Sequence, residues 1–147
     1  MKNFFQIRAA KSADRDRLAD IYYCSRLKSG CFAADETRKL IDFKRDTVDE
    51  EIYVCLFDEQ IVGFLSYYRL DSFIHLLFVD PAFWQKGVGK ALLNYAFAEF
   101  SLPLTLKCLA HNVKALRFYE HLGFVRGQRV NTSQAKDEYY VLYYDNR

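Results

Sequence analysis

Gly87 and Gly89 stand one residue apart, between an apolar run and an amphipathic one. The run before them, Ile74 to Val79, is broken only by His75 and stops at Asp80-Pro81. Proline lacks the amide donor a sheet needs and biases the residue before it away from helix, so a strand ends there. After the glycines, Leu92, Leu93, Ala96, Phe97 and Phe100 share one face at the helical period, while Lys90 and Asn94 fall off it. The stretch reads as strand, glycine loop, helix N-terminus. The first amides of a helix have no partner within it, and its dipole is positive at that end. Glycines let a ligand approach the backbone there, and the chemistry such a place favours is phosphate binding.

Two phosphate patterns are excluded. No glycine lies five residues before Gly89, and Lys90 is followed by Ala91 rather than Ser or Thr, so this is not a P-loop. Leu92 stands where the dinucleotide fingerprint needs its third small residue. On the glycines alone, an ordinary strand-to-helix turn explains the stretch as well as a phosphate site does. Lys86, Lys90, Lys114 and Arg117 are the cations that could meet phosphates, Lys86 and Lys90 being the better placed; surface solvation is the alternative for each. A second residue with usable chemistry is His75. Strand alternation puts Phe73, His75, Leu77 and Val79 on one face, and histidine is the side chain that changes charge near neutral pH.

The wider pattern narrows the reading. Leu77-Phe78-Val79-Asp80-Pro81 followed by Lys86-Gly87-Val88-Gly89-Lys90-Ala91-Leu92-Leu93 resembles the coenzyme A loop of the GNAT N-acetyltransferases. That family carries (Arg/Gln)-x-x-Gly-x-(Gly/Ala) after its fourth strand. A second match follows in order, at Asn112, Ala115, Phe118-Tyr119 and Gly123-Phe124. The resemblance is sharp over residues 72 to 124 and compatible in element order elsewhere. One departure stands out: the family's leading Arg or Gln aligns with Trp84, and Gln85 comes one place late. Backbone amides do most of the pyrophosphate work in the family, so binding is expected to survive it.

The resemblance implies acetyl-coenzyme A as co-substrate and no metal. It places main-chain groups of Leu77, Phe78 and Val79 against pantetheine and the thioester carbonyl. It places Trp84, Gln85, Lys86, Gly87, Val88, Gly89 and Lys90 around the pyrophosphate, and Asn112 both as helix cap and against the cofactor arm. Tyr119 aligns with the general acid toward the coenzyme A thiolate; a core tyrosine is the alternative. Acyl transfer from a thioester to an amine needs a proton acceptor, a donor for the oxyanion and help for the leaving thiolate. It needs no covalent enzyme intermediate, and no nucleophile-base triad is found. His75 is the candidate base, with water-mediated proton removal and a merely structural histidine as alternatives. Asp80 reads as a turn residue.

The implied activity is transfer of an acetyl group to a primary amine by direct attack in a ternary complex, with a small-molecule acceptor. A protein or peptide acceptor is the same-class alternative, and a non-catalytic coenzyme A-binding sensor or interaction domain the other. Family members select the acceptor with the first two helices and the last hairpin. Here those regions are aromatic, with Tyr22, Tyr23, Phe32, Tyr67, Tyr68, Tyr139 and Tyr140, which suit a cationic amine, a flat substrate or simple packing. Acidic residues in a narrow pocket would favour a small amine, and an open groove a peptide.

Composition bounds the remaining classes. The 147 residues suit one domain, 1–147, and 51% hydrophobic and 17% aromatic residues suffice for a core and a lined pocket. Net charge of +2 gives no electrostatic case for nucleic acid. No apolar run nears the ~20 residues needed to span a bilayer, and no signal-peptide core opens the chain. Cys24, Cys31, Cys55 and Cys108 form no Cys-x-x-Cys pair, and the histidines do not fall at ligand spacing with them. Reduced thiols in a cytoplasmic protein are expected, with no metal, nucleic acid or membrane partner; homodimer formation is left open.

The elements expected to position these residues follow from periodicity. Strands are expected at Phe4–Ala9, Ile52–Phe57, Ile61–Arg69, Ser72–Val79, Leu104–Ala110, Phe124–Val130 and Tyr139–Tyr144. Helices are expected from about Ala13 with Ser12 as cap, over Asp35–Phe43, from the glycine loop to about Phe100, and after Asn112. Lys44 to Glu50 reads as charged, solvated loop. Gly63 marks a bulge or a close approach. The order is βααβββαβαββ, an α/β (α+β) fold whose mostly antiparallel mixed sheet holds one parallel, splayed β4/β5 pair.

Overall fold

In a computed structural model, residues 4–29, 39–134 and 137–146 are described. Cys31, Phe32 and the expected start of the second helix at Asp35 lie outside them. The elements are β1 (Gln6–Ala9), α1 (Arg15–Ser29), α2 (Lys39–Asp46), β2 (Glu51–Phe57), β3 (Gln60–Tyr68), β4 (Phe73–Val79), α3 (Val88–Glu99), β5 (Leu104–Leu109), α4 (Val113–His121), β6 (Val125–Val130) and β7 (Tyr139–Tyr144). This is the expected order. All seven strands join one sheet, ordered β1-β2-β3-β4-β5-β7-β6. Every neighbouring pair is antiparallel except β4 and β5.

Local chemistry accounts for the joints. Asp58 and Glu59 both take positive φ, 50° and 64°, as a two-residue hairpin turn requires, and Phe57 pairs Gln60 across it. Asn112 caps α4 by accepting the Ala115 amide at 3.2 Å. Ser12 does not cap α1. Asp14, two residues on, reaches back to the Lys11 amide at 2.8 Å and pairs with Arg8 at 2.7 Å. The adjacent guanidinium holds the Asp14 carboxyl below the usual carboxylate range. Helix α2 continues through Asp46, so the first part of the expected Lys44–Glu50 loop is helical.

The sheet separates two cores. On one face, α1 and α2 bring Leu18, Ile21, Tyr22 and Phe43 against Val54, Ile61, Phe64 and Leu76. On the other, α3 and α4 bring Val88, Leu92, Leu93, Ala96, Phe100 and Leu116 against Leu65, Tyr67, Ile74, Leu104, Leu106 and Leu142. Helix α4 has Leu116 as its buried centre, with Ala115, Tyr119 and Leu122 packed against the same core, while Phe118 is 36% exposed. Gly63 answers to both expected roles. It stands beside a register shift in β2–β3, and a Cβ there would lie 2.8 Å from Val88 Cγ1 and 3.0 Å from the Phe78 carbonyl. Only glycine lets α3 cross the sheet so closely.

A second irregularity positions the site. Ser66 pairs Leu76 but Tyr67 pairs Ile74, so His75 is the extra residue of a bulge in β4. The bulge exchanges the strand's faces. Ile74 packs with the α3–α4 core, Leu76 with the α1–α2 core, and Leu77 and Val79 with the α3–α4 core again. The expected single face of Phe73, His75, Leu77 and Val79 is therefore divided. The buried Ser66 hydroxyl takes the Leu76 amide at 3.0 Å, supplying an acceptor inside the distorted ladder.

Candidate functional site

Strands β4 and β5 pair only at Phe73↔Thr105 and Ile74↔Leu106. Beyond the His75 bulge they part, leaving the main chain of Leu77, Phe78 and Val79 without a neighbour on that side. A cavity of about 540 Å³ fills the opening, walled chiefly by the glycine loop, α3 and α4. It brings together Leu77, Phe78, Val79, Trp84, Gln85, Gly87, Val88, Gly89, Lys90, Asn112 and Tyr119. Lys86 and Arg117 do not line it, whereas Lys114 does. Ala115 and Phe118 of the second motif line it too, as do Ser25 and Lys28 of α1 and Phe83, none of these three singled out in the sequence. Ser25 left one signal, a small polar residue on the apolar face of α1.

The glycine loop opens the N-terminus of α3. Gly87 takes φ 91° as the N-cap of α3, and its carbonyl already accepts the Ala91 amide at 3.0 Å. The amides of Val88, Gly89 and Lys90 precede the first intrahelical donor, and these residues face the cavity. A Cβ on Gly89 would lie 3.1 Å from Phe118 Cζ, so the space between α3 and α4 is kept by a missing side chain.

The loop is fastened to α1. Asp80 caps a short 3-10 turn, Pro81–Phe83, through the Ala82 amide at 3.0 Å. Arg17 donates to the Asp80 carboxylate at 2.6 Å and to the Ile61 carbonyl at 2.9 Å. Burial alone would push the Asp80 carboxyl up. The Arg17 guanidinium and the Ala82 amide outweigh it and hold the group below the usual range. The Ser25 hydroxyl at 2.7 Å and the Trp84 indole at 2.8 Å both donate to the Val79 carbonyl. Trp84 thus folds back onto the end of β4.

Tyr119 lies deeper in the groove, its ring edge-on to Phe124 at 5.7 Å. Its hydroxyl has no hydrogen-bond partner among the described residues. Burial, with a smaller contribution from Cys108, pushes the phenol up, so the proton is held through the neutral range.

A second cavity, about 440 Å³, opens on the other face of the sheet at the same vertex, lined by Glu50, Tyr68, Phe73, His75 and Lys107. The opposite faces follow from β5, where Leu104, Leu106 and Cys108 pack into the α3–α4 core and Lys107 alternates away from them. His75 therefore does not share the groove of Tyr119. Its Nδ1 lies 2.7 Å from Glu50 Oε2. An ionised carboxylate can only accept, so Nδ1 carries the hydrogen, and in the neutral ring Nε2 keeps its lone pair. Glu50 ends the expected solvated loop, yet its side chain is only 10% exposed. Its other oxygen, Oε1, is buried without a partner. Of the expected acceptor-side aromatics, Tyr22 and Tyr67 are core residues, Tyr67 stacking on Phe100 at 3.8 Å. Tyr68 lines the second cavity, and the Tyr139 ring lies under Lys107 at 5.1 Å.

A groove at splayed parallel strands, with a glycine-capped helix beside it, defines a class, and comparison with known proteins agrees. Residues 16–124 match the model of the Acetyltransferase (GNAT) family. The chain is 30% identical over 141 residues to the uncharacterized N-acetyltransferase YafP of Escherichia coli K12, covering 87% of each. Apo-form YjaB from Escherichia coli superposes with a TM-score of 0.76 at 25% identity, over 96% of this chain and 97% of that one. YncA from Salmonella typhimurium, a putative acetyltransferase with its cofactor acetyl-CoA, does so with a TM-score of 0.70 at 17% identity, over 97% and 95%. The chain belongs to the GNAT family of N-acetyltransferases. Among the described residues, no helix is long and apolar enough to cross a membrane.

Proposed function

We propose that this chain transfers the acetyl group of acetyl-coenzyme A to the primary amine of a small molecule, by direct attack within a ternary complex. The observation that carries the reading is the vertex of β4 and β5: a groove with open helix amides on one face, a cavity holding the Glu50–His75 pair on the other. Acetyl-coenzyme A supplies an acyl group on a thioester. The cradle fits its diphosphate, since the Val88, Gly89 and Lys90 amides face the groove, with Lys90 and Lys114 on its walls. The freed edge of β4 offers the main chain of Leu77 and the amide of Val79 to the pantetheine arm and to the carbonyl being attacked, the Val79 carbonyl being held by Ser25 and Trp84 and that of Phe78 facing β3. The NH₂ end of the Asn112 amide remains for the same arm, its oxygen being spent on the helix cap.

Two side chains handle protons. His75 Nε2 takes the proton that the amine must lose to form its new bond to carbon, while Glu50 holds the ring in that tautomer. Tyr119 gives hydrogen-bond support, and finally a proton, to the sulfur as its bond to carbon breaks. The buried Glu50 carboxylate beside His75 supports a cationic amine as acceptor, and we take it to be a small one. Cys24, Cys55 and Cys108 form no disulfide among the described residues, which suits the cytoplasm.

Thiol release from acetyl-coenzyme A across a panel of amines and peptides tests the reading. Small amines are expected to release thiol and peptides not. Tight acetyl-coenzyme A binding with no acceptor used would replace transfer by a binding role.

A further inference from the structure

The cavity behind the vertex holds two charges of opposite sign that the fold does not neutralise. At one end, Glu50 is nine-tenths buried, its Oε2 against His75 and its Oε1 unpartnered. A buried carboxylate oxygen without a donor is costly, and a cation entering the cavity would offset that cost. At the other end, the Lys107 ammonium lies over two rings, 5.6 Å from the centre of Phe73 and 5.1 Å from that of Tyr139. No carboxylate is within ion-pair distance of it among the described residues. The neighbouring cation, Arg69, is already spent on Glu51 through contacts of 2.6 and 2.7 Å. Phe73 lies between the two ends, its ring 6.1 Å from that of His75.

A plain alkylamine would satisfy Glu50 and be repelled by Lys107. A plain anion would meet the reverse. We infer that the acceptor carries both groups: an amine directed to the Glu50–His75 pair and a carboxylate directed to Lys107, with the intervening atoms lying along Phe73. The acceptor is thus a small amino acid or an amino-acid-like zwitterion. The inference rests on the acetyltransferase reading and names the acceptor class of that site. Lys107 is the residue that selects for the anion. Its side chain is exposed, so its replacement leaves the core intact.

The test uses matched acceptors that differ only in the anion: amino acids of graded chain length, each with its carboxamide. Turnover is followed by thiol release, and binding to the coenzyme A-bound protein by calorimetry, which needs no turnover. For the best-fitting length, wild type should favour the acid over the amide by about 10-fold or more in kcat/KM, chiefly through KM. Lys107→Gln should bring that ratio toward one, and Lys107→Glu should invert it. Equal use of acid and amide by wild type, or a preference that persists in Lys107→Gln, overturns the inference. A binding preference without any thiol release leaves the acceptor class standing and overturns the transfer reading instead.

Discussion

In the proposed reaction Tyr119 is the proton donor, and burial penalises its phenolate and keeps the hydrogen in place. The sign follows directly: a raised phenol loses its proton only at higher pH than an ordinary tyrosine. The rate should therefore show no Tyr119-dependent decline below about pH 10, the usual tyrosine value. Tyr119→Phe keeps the ring and removes the donor. Turnover should fall ~10- to 10⁴-fold while acetyl-coenzyme A affinity holds, since the lost interaction exists mainly in the transition state. Unchanged single-turnover rates would return the residue to packing. His75 works on the other face and calls for a different readout. If its Nε2 takes the amine's proton, the rate should rise with pH along a limb that vanishes in His75→Gln. The profile is to be run with two acceptors of different basicity. A limb that tracks the acceptor and survives the substitution would assign proton removal to water.

The bulge in β4 is what brings those two residues to one vertex from opposite faces, and it was not legible in the sequence. Ile74, Leu76, Leu77, Phe78 and Val79 are all apolar, so nothing in their order marks where the strand changes face; register against β3 does. Glu50 was hidden for the opposite reason. It ends a charged run, and its burial comes from contact with His75, 25 residues away in sequence. Periodicity and punctuation did make every strand and helix of the described chain visible. The glycine loop was visible too, because its constraint is local. Two glycines of the same region then give contrasting expectations. At Gly63 an added Cβ meets Val88 and a backbone carbonyl, neither able to swing away. Gly63→Ala should destabilise the fold by ~1–3 kcal/mol, as overpacking does. At Gly89 the neighbour is the end of the half-exposed Phe118 ring. Gly89→Leu should fold normally, fill the groove and abolish the rise in melting temperature that acetyl-coenzyme A gives wild type. A retained rise in Gly89→Leu would remove the loop from the cofactor site.

Across the whole molecule, the sheet divides the groove at the glycine loop from the cavity at Glu50 and His75, and α1 belongs to both sides. Its apolar face closes the α1–α2 core, while Arg17 and Ser25 reach across to the end of β4 and the turn before the glycine loop. The Arg17–Asp80 pair is the charged part of that clamp, and both partners are largely withdrawn from solvent. Arg17→Met should lower stability at pH 7 by ~1–2 kcal/mol, a modest charged hydrogen bond. The pH dependence fixes the cause. Asp80 has a depressed folded-state pKa, so its contribution is present above its unfolded value, ~3.9, and is lost as pH falls through the folded value. The gap between wild type and Arg17→Met should therefore be full at neutral pH and close on acidification below pH 4. Other carboxylates titrate in the same window, but they do so in both proteins and cancel in the difference. Paired denaturant titrations at several pH values measure it. A gap that stays constant into acid would mean that Arg17 acts through the Ile61 carbonyl and its own packing. In that case Asp80→Asn should leave the acetyl-coenzyme A affinity intact; if the ion pair sets the loop, that substitution should weaken it.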